Sequence, residues 1–191
     1  MFQKESNQII KLLRDILESK KSTNRNLTDI MEGKSLWQIL SREGKGFTVV
    51  SGFITIPTAT ETDFMLLRNP TGSNILSRLK EIFMTIGGTS AQRSIFRFYR
   101  TPVITAVGTP LSIFKVLSIG TLTSQLLAYQ SPTISARGTL IQLFAVDFNT
   151  LSRDQDLGRY LTEGADLLIT VQGSTSNLEH NISLVWAEET V

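Results

Sequence analysis

The sequence contains no cysteine and a single histidine. Disulfides and thiolate chemistry are therefore excluded, and so in practice is a structural zinc site, whose ligands come from those two residues. A cysteine-free chain suits folding in a reducing cytoplasm. No stretch approaches the roughly 18 apolar residues of a membrane-spanning helix. Near the start, Lys11 and Arg14 interrupt Ile9-Ile10 and Leu12-Leu13. No signal-peptide apolar region is expected there, and no membrane partner. Gly33-Lys34-Ser35 is not a phosphate-binding loop, because Thr28 stands where the required first glycine would be.

Carboxylates are missing altogether from Ile82 to Val146, a stretch that holds Arg93, Arg97, Arg100, Lys115 and Arg137. Arg93, Arg97, Arg100 and Arg137 make a candidate basic patch for an acidic partner surface or a polyanion. Scattered solvated strand positions are the plainer reading, and no specific nucleic-acid site is expected. Charge is uneven elsewhere too: residues 1 to 45 hold nine Lys/Arg against six Asp/Glu.

Catalytic constellations are also lacking. His180, beside Glu179 near the start of a strand, is the one candidate imidazole base, and no G-x-S-x-G nucleophile motif accompanies it. It reads as an exposed strand-end histidine. Glu188-Glu189 read as exposed, and successive strand residues point to opposite faces, so they do not form an acid–base pair. Asp147-Phe148-Asn149 with Asp154-Gln155-Asp156 would offer Ca²⁺ hard oxygen ligands, but the EF-hand spacing and its glycine are absent, and a solvated loop is expected. Phe96, Phe98, Tyr99, Phe114 and Tyr129 are candidates for a base- or sugar-stacking platform, although core packing accounts better for the phenylalanines. The chain is thus expected to be non-enzymatic, with no catalytic residues, no cofactor and no metal.

What is present is a repeat. Thr101-Pro102-Val103-Ile104-Thr105-Ala106-Val107-Gly108-Thr109 matches Ser131-Pro132-Thr133-Ile134-Ser135-Ala136-Arg137-Gly138-Thr139, thirty residues later. Pro, Ile, Ala, Gly and Thr are identical, and two further pairs exchange Thr for Ser. Pro suits the first residue of a strand, where its missing N–H breaks no ladder. Gly108 and Gly138 suit positive φ. Each unit reads as a β-hairpin, Thr101 to Ile113 and Ser131 to Leu143.

Around this repeat the chain divides in two. Residues 1 to 46 read as a helical arm and linker. Phe2, Ile9, Leu13, Ile16 and Leu17 fall on one helical stripe, and Leu36 and Trp37 form an apolar anchor in a second short helix. Phe2, Ile9, Leu13, Ile16, Leu36 and Trp37 are the candidate partner-docking residues. Residues 47 to 191 read as β. Strands are expected at Phe47 to Ile56, Thr62 to Arg68, Leu79 to Ile86, Ser94 to Arg100, Leu167 to Val171 and His180 to Trp186. Asn69-Pro70-Thr71-Gly72 is a turn, Thr121 to Gln130 a strand or short helix, and Asp147 to Arg159 a polar loop. Eight to ten short strands at this spacing indicate an antiparallel β-sandwich or barrel.

Several motifs in residues 47 to 189 carry a resemblance. They are Phe64 to Ser73 with its N-P-x-G element, Arg97 to Thr109, Tyr129-Gln130-Ser131-Pro132, Glu163 to Ile169, and Val185-Trp186-Ala187-Glu188-Glu189. Together they resemble jelly-roll virion structural proteins of tailed bacteriophages, the capsid decoration, cement or head-fibre-like class. The resemblance implies a jelly-roll-like sandwich and a homotrimer on the capsid surface, made in the host cytoplasm. Its partner would be the major capsid protein or another virion protein, reached through the N-terminal arm. A receptor- or glycan-binding virion protein on the same sandwich is the alternative.

Overall fold

Phe96 and Phe98 point into the interior while Arg97 and Tyr99 point away from it, as the alternation around them requires. They lie on β5 (Arg93–Arg100) of a two-sheet sandwich. The computed structural model describes residues 36–57, 59–87, 92–117, 121–148 and 152–191, with the backbone alone for residues 36, 37, 39 and 152–159. The expected N-terminal helix and its stripe Phe2, Ile9, Leu13, Ile16 and Leu17 lie outside the described residues.

The chain enters through α1 (Leu36–Arg42). Gly44, at φ 73°, lets the amides of Gly44 and Lys45 return to the carbonyls of Ser41 and Leu40, at 3.0 and 2.9 Å. This is the paired bonding of a Schellman stop, and it turns the chain into the first strand. Leu40 is fully buried, and the helix packs on β1 (Gly46–Val50) and β14 (Leu178–Thr190).

One sheet runs β12 (Ser152–Leu161), β4 (Ile75–Gly87), β14, β1 and β8 (Ile113–Lys115), with β2 (Ile54–Ile56) also paired to β14. The other runs β11 (Thr139–Asp147), β5, β13 (Asp166–Gly173), β3 (Thr62–Arg68), β9 (Leu127–Gln130) and β7 (Thr109–Pro110). Every pairing is antiparallel. Phe47, Ile82, Met84, Ile182, Leu184 and Trp186 from the first sheet meet Phe64, Phe96, Phe98, Leu167, Ile169 and Val171 from the second. On β4 the inward positions shift from Leu79 to Ile82, because a register break opposite Val185 and Trp186 inserts one residue.

The repeat is built differently from two hairpins. β6 (Val103–Ala106) pairs with β10 (Thr133–Ala136) in a separate two-stranded ribbon, β7 with β9, and β11 with β5. Each unit therefore completes the other. The exchange is regular: Val103 lies opposite Ala136 and Thr133 opposite Ala106, while Ile104 faces Ile134. Thr109 and Pro110 face Gln130 and Tyr129 as Thr139 and Leu140 face Arg100 and Tyr99. Leu66 opposite Leu168 continues the same approximate two-fold through β3 and β13.

One further expectation is corrected and one alternative is settled. Residues 152–161 form a strand on β4 where a polar loop was expected; an outermost strand has one neighbour and tolerates polar residues. Residues 127–130 resolve the strand-or-helix alternative as strand.

Candidate interaction surfaces

Two of the motifs that carry the resemblance meet in space. Asn69, fully buried, donates from Nδ2 to the carbonyls of Ile75 and Leu161, at 2.8 and 3.0 Å. Its amide and carbonyl bond Ala165 and Gly164. Glu163 accepts the amides of Gly72 and Asn74, and Arg68 forms a two-bond pair with Asp166. The N-P-x-G turn and the Glu163–Asp166 turn thus make one polar corner.

The glutamates expected to be exposed are buried, at 4% exposure for Glu188 and 6% for Glu189. Glu188 accepts Trp186 Nε1 at 3.0 Å, the Ser124 hydroxyl, and the amides of Gln125 and Leu126. Glu189, on the opposite face, takes Arg78 at 2.8 Å. The structure satisfies both carboxylates internally, Glu188 from neighbouring Trp186 and from residues 124–126, and Glu189 from Arg78.

His180 is also buried, not exposed at a strand end. Its Nε2 lies 2.8 Å from Ser94 Oγ, with the rings of Phe64 and Phe96 edge-on to it. Burial pushes its pKa down to about 4. Ser94 and His180 are both enclosed between the sheets, so no substrate reaches them.

The four arginines do not share one uncompensated surface. Arg93 pairs with Asp147 at 2.7 Å, in the open. Arg100 donates to the Tyr160 carbonyl. Arg97 and Arg137 both face Glu61, and Arg137 also holds Asp63 at 2.8 Å. Burial opposes the charge on Glu61, but hydrogen bonds from Thr170 and Tyr99 and the charges of Arg137 and Arg97 outweigh it and hold the carboxyl below its usual value. The carboxylates missing from residues 82 to 146 are supplied by Glu61, Asp63 and Asp147, brought in by strand pairing.

The stacking platform does not assemble. Phe96 and Phe98 are core, Tyr99 serves Glu61, and Phe114 projects from the outside of the other sheet. Among the described residues, no group of His, Cys, Asp or Glu is placed to hold a metal ion. Asp147 is engaged by Arg93; Asn149 and the side chains of Asp154, Gln155 and Asp156 lie outside the described residues. The helix bearing Leu36 and Trp37 is present, but those two side chains are likewise not described. Among the described residues, no helix is long and apolar enough to cross a membrane.

Two groups of exposed apolar side chains lie on separate surfaces. On the outside of the β1-containing sheet, Phe114 lies across from Thr48, and Val50 is two residues along β1 on the same face. Phe53 lies over Gly87, a strand away. Phe53 is 61% exposed and Phe114 56%. On the other sheet, Leu140 and Leu143 of β11 are exposed.

No known protein family matches the sequence, and no curated protein does. A search of solved structures finds a chain from the structure of deformed wing virus, a honeybee pathogen. The match has 10% identity and a TM-score of 0.27, over 76% of this chain. This chain spans 44% of the length of that one. Similarity of that size does not establish a common fold or a common function.

Proposed function

We propose that this chain is a non-enzymatic virion structural protein, a capsid decoration or cement protein that self-associates and binds the phage head through its N-terminal arm. The observation that carries the reading is a pair of separate apolar groups on the sandwich: Phe53, Phe114 and Val50 on one sheet, Leu140 and Leu143 on the edge of the other. Large exposed apolar groups in two places suit a body with several neighbours at once. The buried Glu188 and Glu189 and the enclosed His180 support a structural role, because the groups that could do chemistry are used to hold the sandwich together. Many copies, each adding modest affinity, would stabilise a shell by mass action. The trimer and the major capsid protein as partner come from the sequence resemblance.

Mass spectrometry of gradient-purified particles, made by the genome that encodes this chain, tests the reading. The chain is expected in the particles at a fixed ratio to the main shell protein. Its absence from particles, with abundant chain in the soluble fraction, would defeat the proposal.

Glycan or receptor binding is the second reading. A cleft of about 420 Å³ lined by Arg100, Thr101, Tyr160 and Asp166 favours it, since such volumes suit small ligands. Tyr160 is exposed there, with Arg78 over its ring at 4.9 Å. Glycan-array binding lost in Tyr160→Ala would favour this reading over the first.

A further inference from the structure

Among the described residues, the outermost strands of the two large sheets are β12, β8 and β2 in one and β11 and β7 in the other. Unpaired strand edges invite another strand, and folded proteins block them with shortness, proline, charge or bulges. β7 is two residues long and contains Pro110. β8 is three residues long and ends in Lys115, and β2 is three residues long. β12 carries Arg153, Asp154, Asp156 and Arg159, and its register breaks between Gln155 and Arg159. β11 stands apart. It runs nine residues without proline and without charge before Asp147. Its register break lies at its start, between Leu140 and Gln142, and leaves the rest regular. Leu140 is 48% exposed and Leu143 49%.

We propose that two copies of this chain join at β11, antiparallel about a two-fold axis at Leu143, so that one sheet runs through both molecules. The occupant is a second copy because the edge complements itself. A two-fold normal to the sheet keeps its faces, so Leu140, Leu143 and Ala145 of both copies gather on one side and cover each other. Charge selects the same direction. β11 has Asp147, paired with Arg93 of its own chain, at one end and no charged residue of its own elsewhere. Antiparallel pairing keeps the two Asp147 carboxylates at opposite ends of the joined edge, whereas parallel in-register pairing would set them together. Main-chain hydrogen bonds would supply the affinity and the leucines the register.

The pairing stands on the fold and not on the virion reading, and it replaces the simple trimer that the sequence resemblance implies. A pair that never enters particles would defeat that reading alone, and a particle-borne protein without the pair would defeat this one alone. The chain has no cysteine, so a single introduced thiol reports one contact. At the axis, Leu143 of one copy faces Leu143 of the other at a strand-pair Cα spacing of roughly 4.5–5.5 Å, within disulfide reach. Leu143→Cys is expected to give a covalent dimer under mild oxidation, reversed by reductant, while Phe114→Cys and Val103→Cys give little. In sedimentation equilibrium the wild-type mass should be an even multiple of the chain, and Leu143→Lys should halve it with an unchanged circular dichroism spectrum. A monomeric wild type overturns the proposal. So does an oligomer in which Leu143→Cys fails to cross-link, including a trimer joined elsewhere. If Leu143→Lys does not fold, the cross-link decides alone.

Discussion

Gly138 sits so close to Arg100 that a β-carbon on it would come within 2.1 Å of the Arg100 carbonyl oxygen, and Gly108 stands in the same relation to Gln130. Arg100 and Gln130 are equivalent positions of the repeat, as are the two glycines. The glycines therefore mark where each unit crosses the backbone of the other.

Gly108→Ala and Gly138→Ala are each expected to destabilise the protein by about 3 kcal/mol or more, since the obstacle is main chain and cannot swing aside. Both glycines also hold positive φ, 90° and 81°. Gly52, at φ 71° with open space around it, separates the two effects. Its alanine variant should cost about 1 kcal/mol from backbone strain alone. Urea denaturation of the three variants measures the difference.

Glu188→Ala leaves Trp186 Nε1 and the amide of Gln125 without their acceptor, and the amide of Leu126 with the Ser124 hydroxyl alone. The expected loss is about 3–5 kcal/mol, because buried donors lose a charged partner. Glu188→Gln keeps an acceptor oxygen and should lose less. Equal losses in the two variants, read by chemical denaturation, would show that the network does not depend on the charge.

His180 makes stability pH-dependent. Its folded pKa is about 4, below the roughly 6.5 expected of an unfolded histidine. Between those values the unfolded chain binds the proton that the folded chain refuses, so stability is full above pH 6.5 and falls as pH drops towards 4. The full effect is up to about 3 kcal/mol. Denaturation midpoints from pH 7 to 5 avoid most carboxylate titration. His180→Gln should flatten the slope there, and a slope unchanged by the substitution would assign it to another group.

Ion pairs should separate by burial. Arg137→Ala removes the partner of two half-buried carboxylates, Glu61 and Asp63, and should cost about 1–3 kcal/mol. Arg93→Ala breaks the open pair with Asp147 and should leave the melting temperature within measurement error, since exposed pairs contribute little.

Much of the sandwich is legible along the chain. Thr62 to Arg68, the alternation of β5 and the Asn69–Gly72 turn depend on side-chain period and on φ preferences, which are local. β4 is longer than its pattern indicated, because the inserted residue near Lys80 breaks the period. β12 is hidden by polar composition, and pairing with β4 makes it a strand.

The sequence by itself determined that strands form, where turns fall, and that two segments thirty residues apart obey the same backbone rules. Only the tertiary structure decided that those segments interleave instead of folding back on themselves, and that His180, Glu188 and Glu189 are enclosed. It also decided that Arg97 and Arg137 are neutralised by Glu61. The reason is range. Backbone preference acts over a few residues, whereas burial and charge compensation depend on what a distant strand brings alongside, and Glu188 meets Ser124 across 64 positions of chain.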